Sequence, residues 1–202
     1  MQGSYLGPEY SQKEIEENLT GLGAKYEILD DNNLLEKTAN DIASGRAIGW
    51  FQGRMEFGPR ALGNRSLLAD PRGHDIKDKV NAIKKRQKFR PFAPVILAEH
   101  ARDYFEMSWE DSPYMQYTSR CKYPDLFPAI VHADGTSRVQ TVTKEQHSGL
   151  YDLLSRWYEE TGCPMLLNTS LNIKTKFSKV SIPVSISRLN FQKSQYQSRY
   201  QD

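Results

Sequence analysis

The chain has 202 residues, 38% of them hydrophobic and 26% charged, which is typical of a globular protein with one core and excludes disordered and membrane classes. It has no apolar run of the roughly 20 residues that span a bilayer and no signal-peptide pattern at its start, so we expect a cytoplasmic protein without membrane contact. The net charge is only +2, but residues 54–90 hold eleven Lys or Arg against four Asp or Glu, which favours a local anion site over a general polyanion surface.

Helical and strand patterns alternate along the chain, which predicts an α/β architecture. A capping-box pattern at Ser11 and Glu14 starts a helix that Gly23 is placed to end. A second helical stripe covers residues 35–43. Residues 47–51 then read as a buried strand, which leads directly into a segment rich in arginine and glycine.

That segment, residues 53–66, interleaves three arginines with three glycines and a proline. Arginine presents a planar fork of donors that suits phosphate and carboxylate, and glycine lets the backbone approach a ligand closely. The spacing matches neither a Walker loop nor a dinucleotide fingerprint. We interpret the segment as an oxyanion or phosphate cradle that involves Arg54, Arg60 and Arg65; a turn with exposed arginines is the alternative.

A second basic group, with Lys84, Arg86 and Arg90, follows a helix predicted at residues 76–83. Cations at the carboxyl end of a helix interact favourably with its dipole even without a function, so part of this group needs no ligand to explain it. Arg90, however, stands between an aromatic residue and a proline, which are predicted to hold its guanidinium in place. We therefore favour an anion contact at Arg90.

Further elements follow from the apolar pattern. They are strand 95–97, helix 101–105, strand 138–142, a helix through residues 150–158 that Gly162 ends, and strand 164–167. Pro91 and Pro94 are predicted to bracket an extended turn before the first of these strands. Residues 108–134 have no clean period and are predicted to be a loop, with a weak strand signal at 114–119.

Asn168, Thr169 and Ser170 directly follow the last predicted strand. Ligands of α/β folds bind at strand ends, which makes these polar residues candidate ligand contacts. A helix cap or an Asx turn is an equally good interpretation.

The chain after residue 173 has a different composition, with six Lys or Arg, six Ser and one acidic residue in 29 positions. Residues 180–186 alternate as an edge strand would. Beyond residue 190 the composition is typical of disorder.

No pattern in the sequence indicates a metal site or a covalent nucleophile. The four histidines have no spacing of four residues, and Cys121 and Cys163 are too few and too scattered for zinc or a disulfide framework, so we expect two buried structural thiols. A Gly-x-Ser-x-Gly elbow is also missing from the sequence. The predicted chemistry is therefore the positioning and charge neutralisation of a phosphate or adenylate-type ligand.

Four segments, in their order and spacing, resemble the carboxy-terminal domain of the O-carbamoyltransferases of the nodulation-protein and cephalosporin-biosynthesis type. They are residues 53–66, 84–94, 135–142 and 164–172, and the resemblance covers roughly residues 4–173. It implies an entry segment at residues 1–10, a single domain at 11–173 and an atypical tail at 174–202. The implied fold is YrdC-like, a twisted open α/β barrel.

In that family the carboxy-terminal domain is understood to bind ATP, which Mg²⁺ accompanies, and carbamoyl phosphate, and to form carbamoyl adenylate. A larger actin-like, metal-containing amino-terminal domain then moves the carbamoyl group onto a hydroxyl. That domain is not in this sequence, so we expect it as a partner, and we expect incomplete transfer by this chain alone. The resemblance implies catalytic roles for Arg60 and Lys84, and substrate- or nucleotide-binding roles for Arg86, Arg90, Arg138, Asn168 and Ser170. Arg54 and Arg65 then become supports of the segment.

Two alternatives stay open at this point. The first is an RNA-binding module, because YrdC-like folds are also associated with RNA and residues 54–90 are basic. The clustered stacking aromatics expected for single strands are missing, which disfavours nucleic acid. The second is an inactive fragment that binds only its partner domain, which would show exposed apolar surface and self-association.

Overall fold

The computed structural model describes residues 3–171. The tail predicted at residues 174–202, with its strand signal at 180–186, lies outside the described residues. The described elements are α1 (Gln12–Gly21), α2 (Asp31–Ala43), β1 (Ile48–Phe51), β2 (Arg65–Ala69), α3 (Ile76–Ile83), β3 (Ala93–Leu97), a 3-10 turn (Ala98–His100), α4 (Ala101–Tyr104), β4 (Phe105–Glu106), β5 (Ser119–Cys121), β6 (Thr136–Ser137), β7 (Gln140–Val142), α5 (Ser148–Thr161) and β8 (Met165–Ser170).

The strands form two sheets. The larger has the order β1-β2-β8-β3-β7, and β4, β5 and β6 form a small second sheet. β3 and β7 run parallel, whereas every other neighbouring pair in the described chain is antiparallel. Within residues 3–171 the larger sheet has open edges at β1 and β7 and does not close. The predicted α/β architecture is confirmed, and within the described residues the sheet is open.

One apolar core joins the sheet to the long helices. α5 packs against α2, β3 and β8, and its buried Trp157 donates a hydrogen bond from Nε1 to the Met165 carbonyl at 3.0 Å. The helix ends at Gly162, whose φ of 68° is a left-handed conformation that glycine adopts without cost. At the other end of the chain, the predicted capping box of α1 is present. These helix boundaries are confirmed.

Cys121 and Cys163 are both buried and free, as predicted. Burial raises the pKa of each thiol, which keeps both in the unreactive protonated form. Among the described helices, none has the length and apolarity that crossing a bilayer requires.

Pro94 lies inside β3, so the prediction of an extended turn up to this residue is wrong. β3 pairs with β8 along residues 93–96 but pairs with β7 only from Val95 onwards. Proline has no N–H to donate to a neighbouring strand. Pro94 is accommodated in β3 because it lies before Val95, where the pairing with β7 begins.

Other boundaries differ from the sequence-based expectations. The weak strand signal at residues 114–119 is wrong, since β5 begins only at Ser119. The strand predicted at 138–142 begins at Gln140, so Arg138 precedes it. Residues 168–170 lie within β8, which excludes the helix cap and the Asx turn. β2, whose five residues are all buried, went unpredicted because a fully buried strand shows no polar alternation.

Candidate anion-binding site

A cavity of about 720 Å³ opens between the loop that carries Arg60, the loop after α3 and the end of β8. All seven predicted site residues line it, namely Arg60, Lys84, Arg86, Arg90, Arg138, Asn168 and Ser170. Among the described residues of its wall, six side chains are Lys or Arg and none is Asp or Glu. The cavity therefore concentrates positive charge that the wall itself does not neutralise.

Lys84 lies at the carboxyl end of α3 and connects it to the end of β8. Its ammonium donates hydrogen bonds to the carbonyl of Ser170 and to the Ser170 hydroxyl, the latter at 3.2 Å. Burial, together with the nearby charges of Arg86 and Arg90, lowers the pKa of Lys84 to about 8. An anion in the cavity would relieve this repulsion and favour the protonated lysine.

The loop after α3 is fixed by Asn81, a buried residue that the sequence analysis missed. Its Nδ2 donates to the carbonyls of Lys88 and Arg90, each at 3.0 Å, and its Oδ1 accepts from Nε of Arg86 at 2.6 Å. The Arg86 guanidinium also lies over the ring of Phe92, 4.4 Å from its centroid. Burial and the charge of Arg90 lower the pKa of Arg86 to about 10. Arg86 is thus positioned before any ligand arrives.

The side chain of Arg90 is not held by its sequence neighbours, contrary to the prediction. Its neighbour Phe89 is 76% exposed and cannot clamp the guanidinium, so the prediction of a side chain wedged by its neighbours is wrong. The backbone of Arg90 is what is held, through the hydrogen bond from Asn81. The exposed side chain lies at the rim of the cavity.

Glu56 organises the loop that carries Arg60. One carboxylate oxygen, Oε1, accepts the backbone N–H groups of Leu62, Asn64 and Arg65 at 2.8, 2.7 and 3.2 Å. Charge-assisted bonds of this kind are stronger than neutral ones. They close residues 57–61 into a loop with the exposed Arg60 near its tip. Glu56 was not predicted because its backbone partners lie six to nine residues further along the chain, and such hydrogen bonds form no short motif.

Arg65 and Arg54 lie outside the cavity. The buried Arg65 guanidinium donates to three backbone carbonyls in residues 52–64 and lies 3.7 Å from the ring centroid of Phe51. Burial lowers its pKa to about 10. Arg54 is exposed and reaches only the carbonyl of Leu6, at 3.4 Å. Arg65 therefore braces the segment from behind, whereas the contact of Arg54 is a long hydrogen bond at the surface.

Asn168 connects the sheet to the Arg60 loop. Its Nδ2 donates to the carbonyl of Ala61 at 3.1 Å and to Oε1 of Gln140 at 2.8 Å. Gln140, on β7, in turn donates from Nε2 to the carbonyl of Leu62 at 2.9 Å. Because β8 is the central strand, this network fixes the loop to the rigid middle of the sheet.

Two further wall residues complete the site. Arg138 is half-buried, and burial together with the charge of Arg60 lowers its pKa. His132 also lines the cavity, with its Nδ1 3.2 Å from the Thr136 hydroxyl, and burial lowers its pKa. Sequence analysis missed His132 because a lone histidine forms no motif. Across residues 3–171, no cluster of three or more His, Cys, Asp or Glu is arranged to hold a metal ion.

The fold and the cavity define an α/β domain with a pocket whose described wall carries six cationic side chains and no acidic one. The chain belongs to the family described as Carbamoyltransferase C-terminus, which matches residues 39–185. The resemblance inferred from the four segments is therefore confirmed.

Three relatives illustrate the similarity. Nodulation protein NolNO of Sinorhizobium fredii is 43% identical over 178 residues, which cover 85% of this chain and 26% of the relative. Nodulation protein NolO of Bradyrhizobium diazoefficiens is 40% identical over 174 residues, 83% of this chain and 32% of the relative. The 3'-hydroxymethylcephem-O-carbamoyltransferase of Amycolatopsis lactamdurans is 43% identical over 137 residues, 68% of this chain and 26% of the relative. The chain thus spans between about a quarter and a third of the length of these relatives.

Proposed function

We propose that this domain binds ATP and carbamoyl phosphate and forms carbamoyl adenylate, whose carbamoyl group a further, actin-like domain passes to a hydroxyl. The observation that carries the proposal is the cavity with six cationic side chains and no acidic one among its described wall residues. Both substrates are polyanions that such a wall attracts. The names of relatives that are carbamoyltransferases add support.

The reaction balances in two steps. Pyrophosphate and the adenylate account for all the phosphorus of ATP, so the phosphate of carbamoyl phosphate has to leave as orthophosphate when water cleaves its bond to the carbamoyl group. The carbamate oxygen then attacks the α-phosphorus of ATP, and the bond to the bridging oxygen of pyrophosphate breaks. Negative charge grows on the departing pyrophosphate, where fixed cations stabilise it. We propose that Mg²⁺ enters bound to the triphosphate and shares this role.

Four of the six cationic side chains have a proposed task that follows from their placement. Lys84 and Arg86 are partly buried and preoriented, so they contact the phosphates that change charge during the reaction. Arg60 and Arg90 are exposed at the rim of the cavity, and their side chains close on the oxygen atoms of the substrate after the substrate has entered. A hydrogen bond to a charged group contributes about 1.5–3 kcal/mol, so the loss of any one contact should lower binding or rate measurably.

The direct test is pyrophosphate release by the purified chain, with ATP alone and with added carbamoyl phosphate. We expect release that depends on both substrates and that falls about tenfold in Arg60→Ala, the loss of one charge-assisted contact. Arg54→Ala removes the same charge from the same segment outside the cavity and is the matched control, with unchanged release expected. A folded chain that neither releases pyrophosphate nor binds ATP would contradict the proposal.

The pKa of Lys84 predicts how anion binding depends on pH. Below about pH 8 the folded protein carries the charged ammonium, and above it the charge is lost, so anion affinity falls as the pH rises. Sulfate is the suitable probe because its own charge stays constant from about pH 7 to about pH 9. Measured by calorimetry, the decline should be present in the natural chain and missing in Lys84→Gln. An equal decline in both proteins would assign it to another group.

A further inference from the structure

Residues 4–8, called the anchoring segment below, run alongside the start of the loop that carries Arg60. Three backbone hydrogen bonds join the segment to residues 55–57. They lead from Gly7 N–H to the Met55 carbonyl at 2.9 Å, from Met55 N–H to the Pro8 carbonyl at 3.1 Å and from Phe57 N–H to the Ser4 carbonyl at 2.6 Å. These pairs follow opposite chain directions, so the two pieces of chain lie antiparallel and in a fixed register.

The segment approaches Met55 more closely than a side chain would allow. A Cβ atom at Gly7 would lie 2.6 Å from Cβ of Met55 and 2.9 Å from its carbonyl oxygen. Backbone atoms cannot swing aside as the end of a long side chain can, so the contact requires glycine. Glycine at this position therefore permits both backbone hydrogen bonds of Met55.

Two consecutive residues of the anchoring segment hold both ends of the loop 57–61. The Ser4 carbonyl accepts the N–H of Phe57, where the loop begins. The Tyr5 hydroxyl donates at 3.0 Å to the carbonyl of Leu62, directly after the loop ends. A displacement of the segment is therefore passed to the loop at both of its ends.

The surroundings of Tyr5 suit it to this contact. Its ring packs against Leu62 and Met115 and meets the ring of His147 edge-on, with the centroids 5.1 Å apart. Burial and then the charge of Glu56 raise the pKa of Tyr5 above its ordinary value, so the hydroxyl keeps the proton that it donates. Tyr5 thus stays a hydrogen-bond donor throughout the neutral pH range.

The loop has to hold Arg60 close to a like charge. Burial and the charge of Arg60 lower the pKa of Arg138, which lines the same cavity. Two guanidinium groups repel each other until an anion neutralises them. An unanchored loop would let Arg60 move away, and a ligand would then bind with the added entropic cost of ordering that loop. Anchoring both ends in advance reduces this cost.

We propose that the anchoring segment positions Arg60 for anion binding, through the Tyr5 hydroxyl and the close contact of Gly7 with Met55. The inference rests on the proposed function and adds positioning residues to it. Tyr5 and Gly7 are not among the described residues of the cavity wall, and both precede residues 39–185, which match the family. Their effect on affinity therefore passes through Arg60.

The test is a calorimetric titration of the full chain and its variants with inorganic pyrophosphate, a polyanion that binds without turnover. We expect Arg60→Ala to weaken binding about tenfold, the loss of one charge-assisted contact. Tyr5→Phe removes one hydrogen bond from the loop and keeps the ring, so a loss of about threefold is expected. Gly7→Ala forces the segment away from Met55 and should weaken binding about fivefold, within the limit that the loss of Arg60 sets.

Double variants separate positioning from a general loss of structure. If the segment acts through Arg60, Tyr5→Phe and Gly7→Ala have no further effect on affinity once Arg60 is alanine. A merely structural effect would instead multiply with that of Arg60→Ala. Tyr10→Phe and Gly21→Ala are the matched controls, because Tyr10 packs against α1 and a Cβ atom at Gly21 meets nothing within 4 Å. Both controls should bind pyrophosphate like the natural chain.

Each other outcome has a definite meaning. Unchanged affinity in Tyr5→Phe and Gly7→Ala, or losses that multiply with that of Arg60→Ala, overturns the inference. Carbamoyl-phosphate-dependent pyrophosphate release by the same protein then leaves the proposed function standing. The expected losses in a chain that catalyses no such release support the anchoring role and contradict the proposed function.

Two results decide the matter when a variant or the probe fails. If Gly7→Ala does not fold, the double-variant comparison with the conservative Tyr5→Phe decides. A folded natural chain that does not bind pyrophosphate overturns the inference, and titration with ATP then tests the proposed function separately.

Discussion

Replacing Lys84 with alanine is expected to lower carbamoyl-phosphate-dependent pyrophosphate release about 100-fold. The ammonium is positioned before the ligand arrives, since it bonds to Ser170 and is partly withdrawn from water. Removing one preorganised donor from a site where charge develops typically costs about 100- to 1,000-fold in rate. The measurement is the initial rate of pyrophosphate release at saturating ATP.

Lys88→Ala is the matched control for this substitution. Lys88 belongs to the same loop and carries the same charge, but it pairs with Asp78 at 3.1 Å and is exposed away from the cavity wall. Surface ion pairs contribute little, so the rate and the stability should stay close to those of the natural chain. Equal losses of rate in the two variants would show that only the overall charge of the loop matters.

Gly63→Ala is expected to destabilise the fold by about 3 kcal/mol. Gly63 has a φ of +112°, and a Cβ atom there would lie 2.3 Å from Cδ2 of Leu150 and 3.2 Å from Nε2 of His147. Leu150 is fully buried and cannot move aside without disturbing the core. Backbone strain and overpacking each cost about 1–3 kcal/mol. Denaturant unfolding followed by tryptophan fluorescence measures the loss.

Gly58→Ala separates the two contributions. Gly58 also has a positive φ, +133°, but a Cβ atom there meets nothing within 4 Å. This variant therefore carries the backbone strain without the overpacking, and it should lose about 1–2 kcal/mol. If the two variants lose equal stability, the contact with Leu150 contributes nothing and the packing argument fails.

The elements that could be predicted are those specified by neighbours in the chain. The capping box at Ser11 and Glu14 and the glycine that ends α5 are local signals, and both ends lie where they were expected. The fully buried β2 gave no such signal, because a strand buried on both faces lacks polar alternation, and its pairing partners β1 and β8 lie elsewhere in the chain. Pro94 was wrongly predicted to end a turn for the same reason. Only the order of the strands shows that Pro94 pairs with β8 and has no partner in β7.

The candidate site likewise contains residues that could be predicted from the sequence and residues that could not. Arg60 and the basic residues 84–90 could be singled out because they stand in dense basic motifs, whereas Arg138 was chosen only through the family resemblance. The cavity brings all of them together. The residues that hold them in place, Glu56 and Asn81, were missed because each acts on backbone groups of another loop segment. Unlike the capping box of α1, a hydrogen bond between a side chain and a backbone group six or more residues away forms no short residue pattern. The roles of the seven predicted residues stay predictions until they are measured.

The most direct test of the central claim is a calorimetric titration of the chain with ATP, with and without carbamoyl phosphate. We expect saturable ATP binding in the first experiment. In the second we expect continuing heat from turnover, accompanied by pyrophosphate. A folded chain that gives no binding heat with ATP, and none when carbamoyl phosphate is added, would show that this domain does not form carbamoyl adenylate.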